Sequence, residues 1–410
     1  LDTGIAGPQQ VVFALAGANT YNIAGLQGAD NLDLGGNLLM IGSNNASTTF
    51  AGALSGAGGA LTKGGTGTFN LTAAATYTGA TTINSGRLNF ASGLGGDLVA
   101  ASGTTISAGT SVAGAATFNG VTYLNSNGPL AITGALTLAG TNTINLLAPA
   151  PGTSTVTLMT YGGALTGDST NLALANATTY RGTPAVSAGA GVVQITGLDV
   201  KNLTWTGSIN GNWDVLTTAN WTDGSAQMFA SGDAVTFDDT AAVKTVVLPA
   251  TLAAPSLITF NNSAGNDYVI SGNAAGRGFT GATGIVKSGT GVVEIQGYGH
   301  NYTGPVTINA GVLRANGNNE LLGNSSGVTI AAGGQLNMNG MQLGAGLRSY
   351  AFTIAGAGPD GLGAITNTSA TQVFQNAGIR WLTLSGNASV GGNGGRFDIG
   401  LATNFAAGSI

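Results

Sequence analysis

Of the 410 residues, only 11 are Lys or Arg and 16 are Asp or Glu. The net charge is −5. Glycine reaches 71 residues, while apolar residues still make up 43% of the sequence. This apolar content excludes a disordered chain, and so few basic residues exclude a nucleic-acid-binding face. No cysteine is present, which excludes disulfides and thiolate metal sites. No run of about 18 apolar residues occurs, so we expect no transmembrane segment.

Short strands are predicted along the whole chain. Apolar and polar residues alternate in runs of roughly four to six residues, as at Phe69 and Leu71 or at Val306 and Ile308. Gly and Asn lie at the ends of these runs. Both residues adopt the positive φ of tight turns at low energetic cost. The alanine-rich piece 113–116 is broken within a few residues, so helices are not expected. The chain is therefore predicted to be all-β.

A segment of the first half recurs in the second half. The run 61–71 reappears as 285–295, 224 residues later. The run 77–88 reappears as 302–313, now 225 residues later, so one residue has been inserted in the intervening turn. Insertions confined to turns, with the strands kept in phase, indicate stacked repeats.

Among all-β architectures, a solenoid suits this pattern best. A sandwich or barrel has a limited number of strands in hairpins, whereas strand-like runs continue here through all 410 residues. Solenoid rungs stack parallel strands about 4.8 Å apart and accommodate any length. We predict a parallel β-helix, or β-solenoid, of stacked short-strand rungs of roughly 20 to 25 residues, with Val, Ile, Leu and Phe inside.

The recurring residues resemble the passenger-associated repeat of bacterial autotransporters. They are Lys63, Gly67, Tyr77, Gly79, Ile83, Asn84 and Gly86, and the same order returns between Lys287 and Leu313. The Trp-rich stretch 203–239 is similar to the opening found upstream of such repeats. The resemblance implies a right-handed parallel β-helix that is secreted or held on the cell surface of a Gram-negative-type bacterium.

Two tandem β-solenoid units are predicted. The first spans 1–200 and contains a repeat at about 61–112. The second spans 201–410, with the Trp-rich opening at 203–239 and a repeat at about 285–338.

Two classes of function are open. The favoured one is a non-enzymatic extracellular β-solenoid, structural or adhesive, because the duplication comes without a convergent cluster of catalytic groups. We predict no catalytic or cofactor-binding residue. The alternative is a glycan-binding or glycan-cleaving protein on the same scaffold, with cell-surface or matrix glycans as partners.

Five residues are candidates for that alternative. Asp233, Asp238 and Asp239 form the richest acidic stretch and could bind Ca²⁺ through carboxylate oxygens, although capping of turns explains them better. Trp213 and Trp221 could stack on sugar rings, but their large apolar surfaces favour a small packed plug.

Three further side chains receive structural interpretations. Lys63 and Lys287 recur before Gly-rich turns and are interpreted as solvated strand-end charges that discourage lateral pairing, with anionic glycan binding as the alternative. The single histidine, His300, is interpreted as a solvent-exposed turn residue, because no nucleophile motif surrounds it.

Self-association is expected from the two ends of the sequence. Residues 11–15 become strand-like almost at once, and 396–399 run into 406–410 without a capping helix. A terminal rung exposes unpaired backbone groups, so it needs a cap, a continuation or a neighbouring copy. We expect either a self-assembling filament or a single long cell-surface fibre.

Overall fold

In the computed structural model, the described residues are 11–12, 18–108, 110–125, 129–146, 149, 151–272, 276–296, 299–317, 320–343, 350–371, 379–391, 397 and 399. These residues form short β-strands and two 3-10 turns, Ser169–Asn171 and Ala177–Thr179, without an α-helix. In this part of the chain no helix is long and apolar enough to cross a membrane. The all-β prediction is confirmed.

The chain separates into two compact units. The first comprises Leu1–Leu147, Ser154–Ala177 and Gly182–Leu198, and the second comprises Ala148–Thr153, Thr178–Arg181 and Asp199–Ile410. The division into two tandem β-solenoid units at 1–200 and 201–410 stays a prediction.

In the first unit, the chain coils so that successive turns add parallel strands to the same faces. The first face has eight strands: Thr20–Ile23, Leu38–Ile41, Ala60–Lys63, Thr81–Ile83, Leu98–Ala100, Ala116–Asn119, Leu136–Ala139 and Leu165–Thr166. The second face has seven: Thr48–Phe50, Thr68–Leu71, Arg87–Phe90, Thr105–Ala108, Thr122–Asn125, Asn142–Leu146 and Leu172–Leu174.

A third face completes each turn and ends in an antiparallel hairpin. It begins with Val11–Val12, Leu32–Asp33 and Leu54–Ser55, continues through single bridges at Ala75 and Leu94, and ends in Ser111–Val112, Leu130–Ile132, Thr155–Tyr161, Val192–Leu198 and Gly182–Gly189. The last two strands pair antiparallel with each other, and Val192–Leu198 pairs antiparallel with Thr155–Tyr161. Ala190 and Gly191 join them with φ of 50° and 81°, the positive values that a two-residue type I′ turn requires. This hairpin departs from the uniform parallel stacking predicted from the sequence.

The second unit is built on one 15-stranded sheet that folds round a corner. One side consists of Asn202–Trp205, Ala234–Phe237, Leu257–Phe260, Gly284–Lys287, Tyr350–Gly356 and Ile379–Ala388, and the other of Thr245–Val247, Tyr268–Ser271, Val292–Gln296, Ile365–Thr366 and Val390–Gly391. The long strands Val306–Asn316 and Val328–Asn337 pass through the corner and pair on both sides. Trp221–Thr222 and Ala226–Gln227 add an antiparallel ribbon along the edge of Asn202–Trp205.

The rungs stack in register, which places like positions in columns. In the first unit, one inward column is Leu61, Thr81, Leu98, Ala116 and Leu136, all buried. In the second, the matching column is Val235, Ile258, Ile285, Val306 and Val328. Because side chains alternate between the two faces of a strand, every second position fills the core and the positions between them face outward. The predicted β-solenoid is confirmed by this stacking.

Candidate functional site

Asp233, the first of the predicted calcium ligands, is fully buried in an ion pair. Its two oxygens accept hydrogen bonds from the Arg181 guanidinium at 3.0 and 2.9 Å. They also accept from the backbone N–H groups of Lys201 and Ala230, each at 2.8 Å. This carboxylate therefore accepts four hydrogen bonds. Sequence reasoning missed Arg181, which lies 52 residues away in the chain and carries no local motif.

The other two acidic candidates accept hydrogen bonds from backbone and hydroxyl groups. Asp238 accepts from the N–H and hydroxyl of Thr240 at 2.9 and 2.6 Å, and Asp239 accepts from the N–H and hydroxyl of Ser263, both at 2.7 Å. The hydrogen bond from the Ser263 hydroxyl lowers the pKa of Asp239 below its ordinary value. Within the described ranges no three His, Cys, Asp or Glu side chains gather in a group that could hold a metal ion. Calcium binding stays a prediction; Asp238 bonds its own turn, whereas the contact of Asp239 links two segments 24 residues apart.

Trp213 and Trp221, the predicted glycan contacts, lie inside an aromatic cluster. Their ring centroids are 5.0 Å apart, and the Trp205 ring lies 4.9 Å from that of Trp221. The Phe237 ring lies 5.5 Å from both. Both tryptophans are buried, so their ring faces pack on other rings in this structure. Sugar stacking through them stays a prediction and would require the cluster to open.

The two repeat lysines are buried, so their interpretation as solvated strand-end charges is wrong. Lys63 is 1% exposed and Lys287 is 0% exposed. Each occupies an inward column of apolar residues, and Lys63 stands between Ile41 and Ile83 on the neighbouring rungs. The apolar stem of the lysine thus substitutes for a core side chain, while its ammonium group reaches the corner where the chain turns to the next face.

Backbone carbonyls receive the ammonium group of Lys63. Its Nζ donates to the carbonyl oxygens of Gly64 at 2.5 Å, Gly65 at 2.9 Å and Ser85 at 3.3 Å. Three acceptors match the three protons of an ammonium group. Two of these carbonyls belong to the corner that directly follows the lysine, and the third belongs to the corner of the next rung.

Lys287 repeats this arrangement in the second unit. Its Nζ donates to the carbonyl oxygens of Gly289 and, at 3.5 Å, Ala310. Burial lowers the pKa of both repeat lysines, that of Lys287 to about 8, with the carboxylate of Asp267 acting in the opposite direction. At neutral pH the group is still mostly charged, and carbonyl dipoles replace the water that burial removes.

The glycines around each lysine are required because consecutive corners touch through their backbones. A Cβ on Gly86 would lie 2.5 Å from the Gly65 carbonyl oxygen. In the second unit, a Cβ on Gly311 would lie 2.4 Å from the Gly289 oxygen and 2.5 Å from the Gly291 oxygen. Real Cβ atoms essentially never approach a backbone oxygen so closely, so any other residue at these positions would force the two corners apart.

The same corner of one lysine and several glycines thus occurs once in each unit. Both segments match the family described as passenger-associated-transport-repeat, over residues 61–90 and 285–315. The chain carries two copies of this repeat. No curated protein and no solved structure matches the chain significantly.

Each passenger repeat covers one complete rung of the coil and the first part of the next. The first contains Thr68–Leu71, Thr81–Ile83 and Arg87–Phe90, which follow the strand that ends at Lys63. The second contains Val292–Gln296 and most of Val306–Asn316. The matched segments end before the limits at about 112 and 338 that the sequence pattern indicated.

His300 lies inside the second passenger repeat and is buried, so its interpretation as an exposed turn residue is wrong. It is 2% exposed, and its Nδ1 accepts the backbone N–H of Phe279 at 3.0 Å. The two rings also pack, with centroids 5.0 Å apart. Burial lowers the pKa of His300 to about 4, so the imidazole is neutral and serves as a hydrogen-bond acceptor inside the repeat.

The corner contact predicts unequal costs for two glycine substitutions in the second unit. Gly311 and Gly317 have φ of 70° and 72°, but nothing lies within 4 Å of a Cβ on Gly317. Gly317→Ala should therefore lower the free energy of unfolding by about 1 kcal/mol through backbone strain alone. Gly311→Ala should cost about 3 kcal/mol, because the clash with two carbonyl oxygens adds to the strain. Urea denaturation followed by tryptophan fluorescence measures both, since all four tryptophans lie in this unit. Equal costs would contradict the contact.

The buried histidine predicts a loss of stability in mild acid. The folded pKa of about 4 lies below the ordinary value of 6.5, so between these values the unfolded chain binds the proton more tightly. The free energy of unfolding should therefore fall by about 3 kcal/mol as the pH drops from 6.5 towards 4. His300→Gln should remove this part of the pH dependence, since the amide does not titrate. Fluorescence-detected denaturation at several pH values compares the two proteins, and parallel curves would refute the assignment.

Proposed function

We propose that this chain is part of an autotransporter passenger exposed at the bacterial cell surface, where it acts as a non-enzymatic structural or adhesive β-solenoid. The observation that carries the proposal is the pair of passenger-associated-transport-repeats, each of which begins on one rung and continues into the next. A solenoid becomes longer simply by adding rungs, because each rung contacts only its neighbours.

The disposition of polar groups supports a structural role. Asp233 is paired with a guanidinium, Asp238 caps its own turn, and Asp239 binds Ser263, 24 residues further along the chain. The lysines of the repeats bind backbone carbonyls. These charged groups are thus engaged in contacts that hold the coil together.

Surface display tests the location. The 410-residue chain would be joined between a secretion signal and an autotransporter translocator in a bacterial host, and intact cells would be treated with protease. We expect a folded, protease-resistant chain that antibodies detect on intact cells. Gly317→Ala should display normally, while Gly311→Ala should be degraded. Retention of the unmodified chain inside the cell, with the translocator alone reaching the membrane, would contradict the proposal.

A glycan-active function is distinguished by a separate experiment. Purified chain would be tested for binding to a glycan array and for turnover of polysaccharides, with and without Ca²⁺. Turnover would replace the non-enzymatic proposal by the glycan-cleaving alternative, and binding without turnover would support an adhesive role.

Self-association into a filament is part of the proposal and has a candidate surface. The strand Ile379–Ala388 pairs on one edge with Tyr350–Gly356, and among the described residues no strand pairs with its other edge. Leu384 on this strand is 62% exposed. An open edge with exposed apolar side chains favours pairing with further strands.

Light scattering tests the association. Leu384→Lys should lower the scattering of concentrated protein at neutral pH, because a charge on an edge strand opposes pairing. Ile209→Lys is the matched control, since Ile209 is 66% exposed but lies elsewhere in the second unit, and it should leave the scattering unchanged. If the unmodified chain stays monomeric, the filament role fails and a single-chain fibre stands.

A further inference from the structure

The two repeat lysines bind equivalent carbonyls across different lengths of chain. Lys63 reaches the carbonyl of Ser85, 22 residues ahead, and Lys287 reaches that of Ala310, 23 residues ahead. The ammonium group therefore does not simply bind whatever carbonyl lies at a set distance along the sequence.

What the two acceptors share is their position in the corner of the next rung. Ser85 precedes Gly86 and Ala310 precedes Gly311, and these two glycines have φ of 72° and 70°. Both corners also pack against the corner of the rung that carries the lysine. The acceptor is thus defined by its place in the coil.

The extra residue of the second repeat lies in the connection between its two rungs. The segments from Lys63 to Leu71 and from Lys287 to Ile295 are equal in length, and so are those from Tyr77 and Tyr302 to the acceptor carbonyls. The insertion falls between Ile295 and Tyr302, which correspond to Leu71 and Tyr77 of the first repeat. One connection is longer, yet the contact at the corner is kept.

We propose that the repeat lysine is a register clamp, which fixes the corner of the following rung whatever the length of the connection between the two rungs. Carbonyls of its own corner hold the ammonium group in place, and this leaves a donor directed at the next corner. Because the group is buried, a shifted rung would leave a charged donor unsatisfied, which costs more than a lost surface contact. The proposal concerns how the coil is assembled and is independent of where the protein acts.

The lysine clamp adds to the register that the apolar columns already specify. A strand that slips by one residue turns its buried side chains outward, so the columns already oppose slippage within a strand. The apolar columns oppose a shift less strongly when the connection between two rungs changes in length. Many inward positions hold similar aliphatic residues, so a shifted rung can still bury apolar side chains. A lysine occurs once in each repeat, so its contact identifies one corner among many.

A double-mutant cycle in the first repeat tests the clamp. One glycine would be inserted between Ala73 and Ala74, where Ala74 is exposed, to imitate the longer connection of the second repeat. The insertion, Lys63→Met and their combination would be compared by hydrogen exchange of the amides in 81–90. We expect the insertion alone to reduce protection less than about threefold, and the combination to reduce it roughly tenfold beyond the product of the single effects. Effects that simply multiply would overturn the proposal.

The matched control uses a lysine outside the repeats. Lys201 forms a partly exposed ion pair with Asp223, so Lys201→Met combined with the insertion should give the product of the single effects. A coupling as large as that of Lys63 would show a general loss of cohesion and would also overturn the clamp.

A second measurement does not depend on the folding of Lys63→Met. The chain has four lysines, so ¹⁵N labelling of lysine allows their ammonium groups to be observed by NMR. The ammonium protons of Lys63 should exchange slowly with water in the unchanged chain and equally slowly after the glycine insertion. Loss of the slow exchange on insertion would mean that the contact depends on the connection length, and the proposal would fail.

Discussion

Close contact between consecutive corners is the constraint on which the rest of this structure depends. Parallel rungs stack about 4.8 Å apart, and at a corner the backbones of successive rungs meet with no room for a side chain. Gly86 and Gly311 show the consequence, since a Cβ on either would lie within 2.6 Å of a carbonyl oxygen of the preceding corner. The high glycine content thus follows from stacking as well as from turn geometry.

Burial of polar groups follows from the same constraint. Corners bring partly buried backbone carbonyls close together, and carbonyls left unpaired there would be costly. Lys63 and Lys287 supply donors at these places, while His300 supplies an acceptor for the N–H of Phe279. A chain with so few charges therefore uses several of them inside the coil, where each has a defined partner.

Antiparallel strands occur at edges where the uniform parallel stacking ends. The hairpin Gly182–Gly189 and Val192–Leu198 covers an edge in the first unit, and the ribbon of Trp221–Thr222 and Ala226–Gln227 covers one in the second. At each of these edges a reversed strand pairs with the last parallel strand, and the outermost strand pairs antiparallel with it in turn. Trp221 of the ribbon belongs to the aromatic cluster, where its ring lies 4.9 Å from that of Trp205 and 5.0 Å from that of Trp213.

The sequence by itself determined the fold class, the stacking and the position of the two repeats. The alternation of apolar and polar residues, as at Phe69 and Leu71, is a local signal, and so is the confinement of insertions to turns. Both can be read without knowledge of the tertiary structure. Only the tertiary structure decided what the polar residues do. Lys63 and His300 have sequence neighbours typical of exposed turns, and their burial comes from rungs more than 20 residues away. The ion pair of Arg181 with Asp233 joins residues 52 positions apart, and no local pattern encodes such a contact.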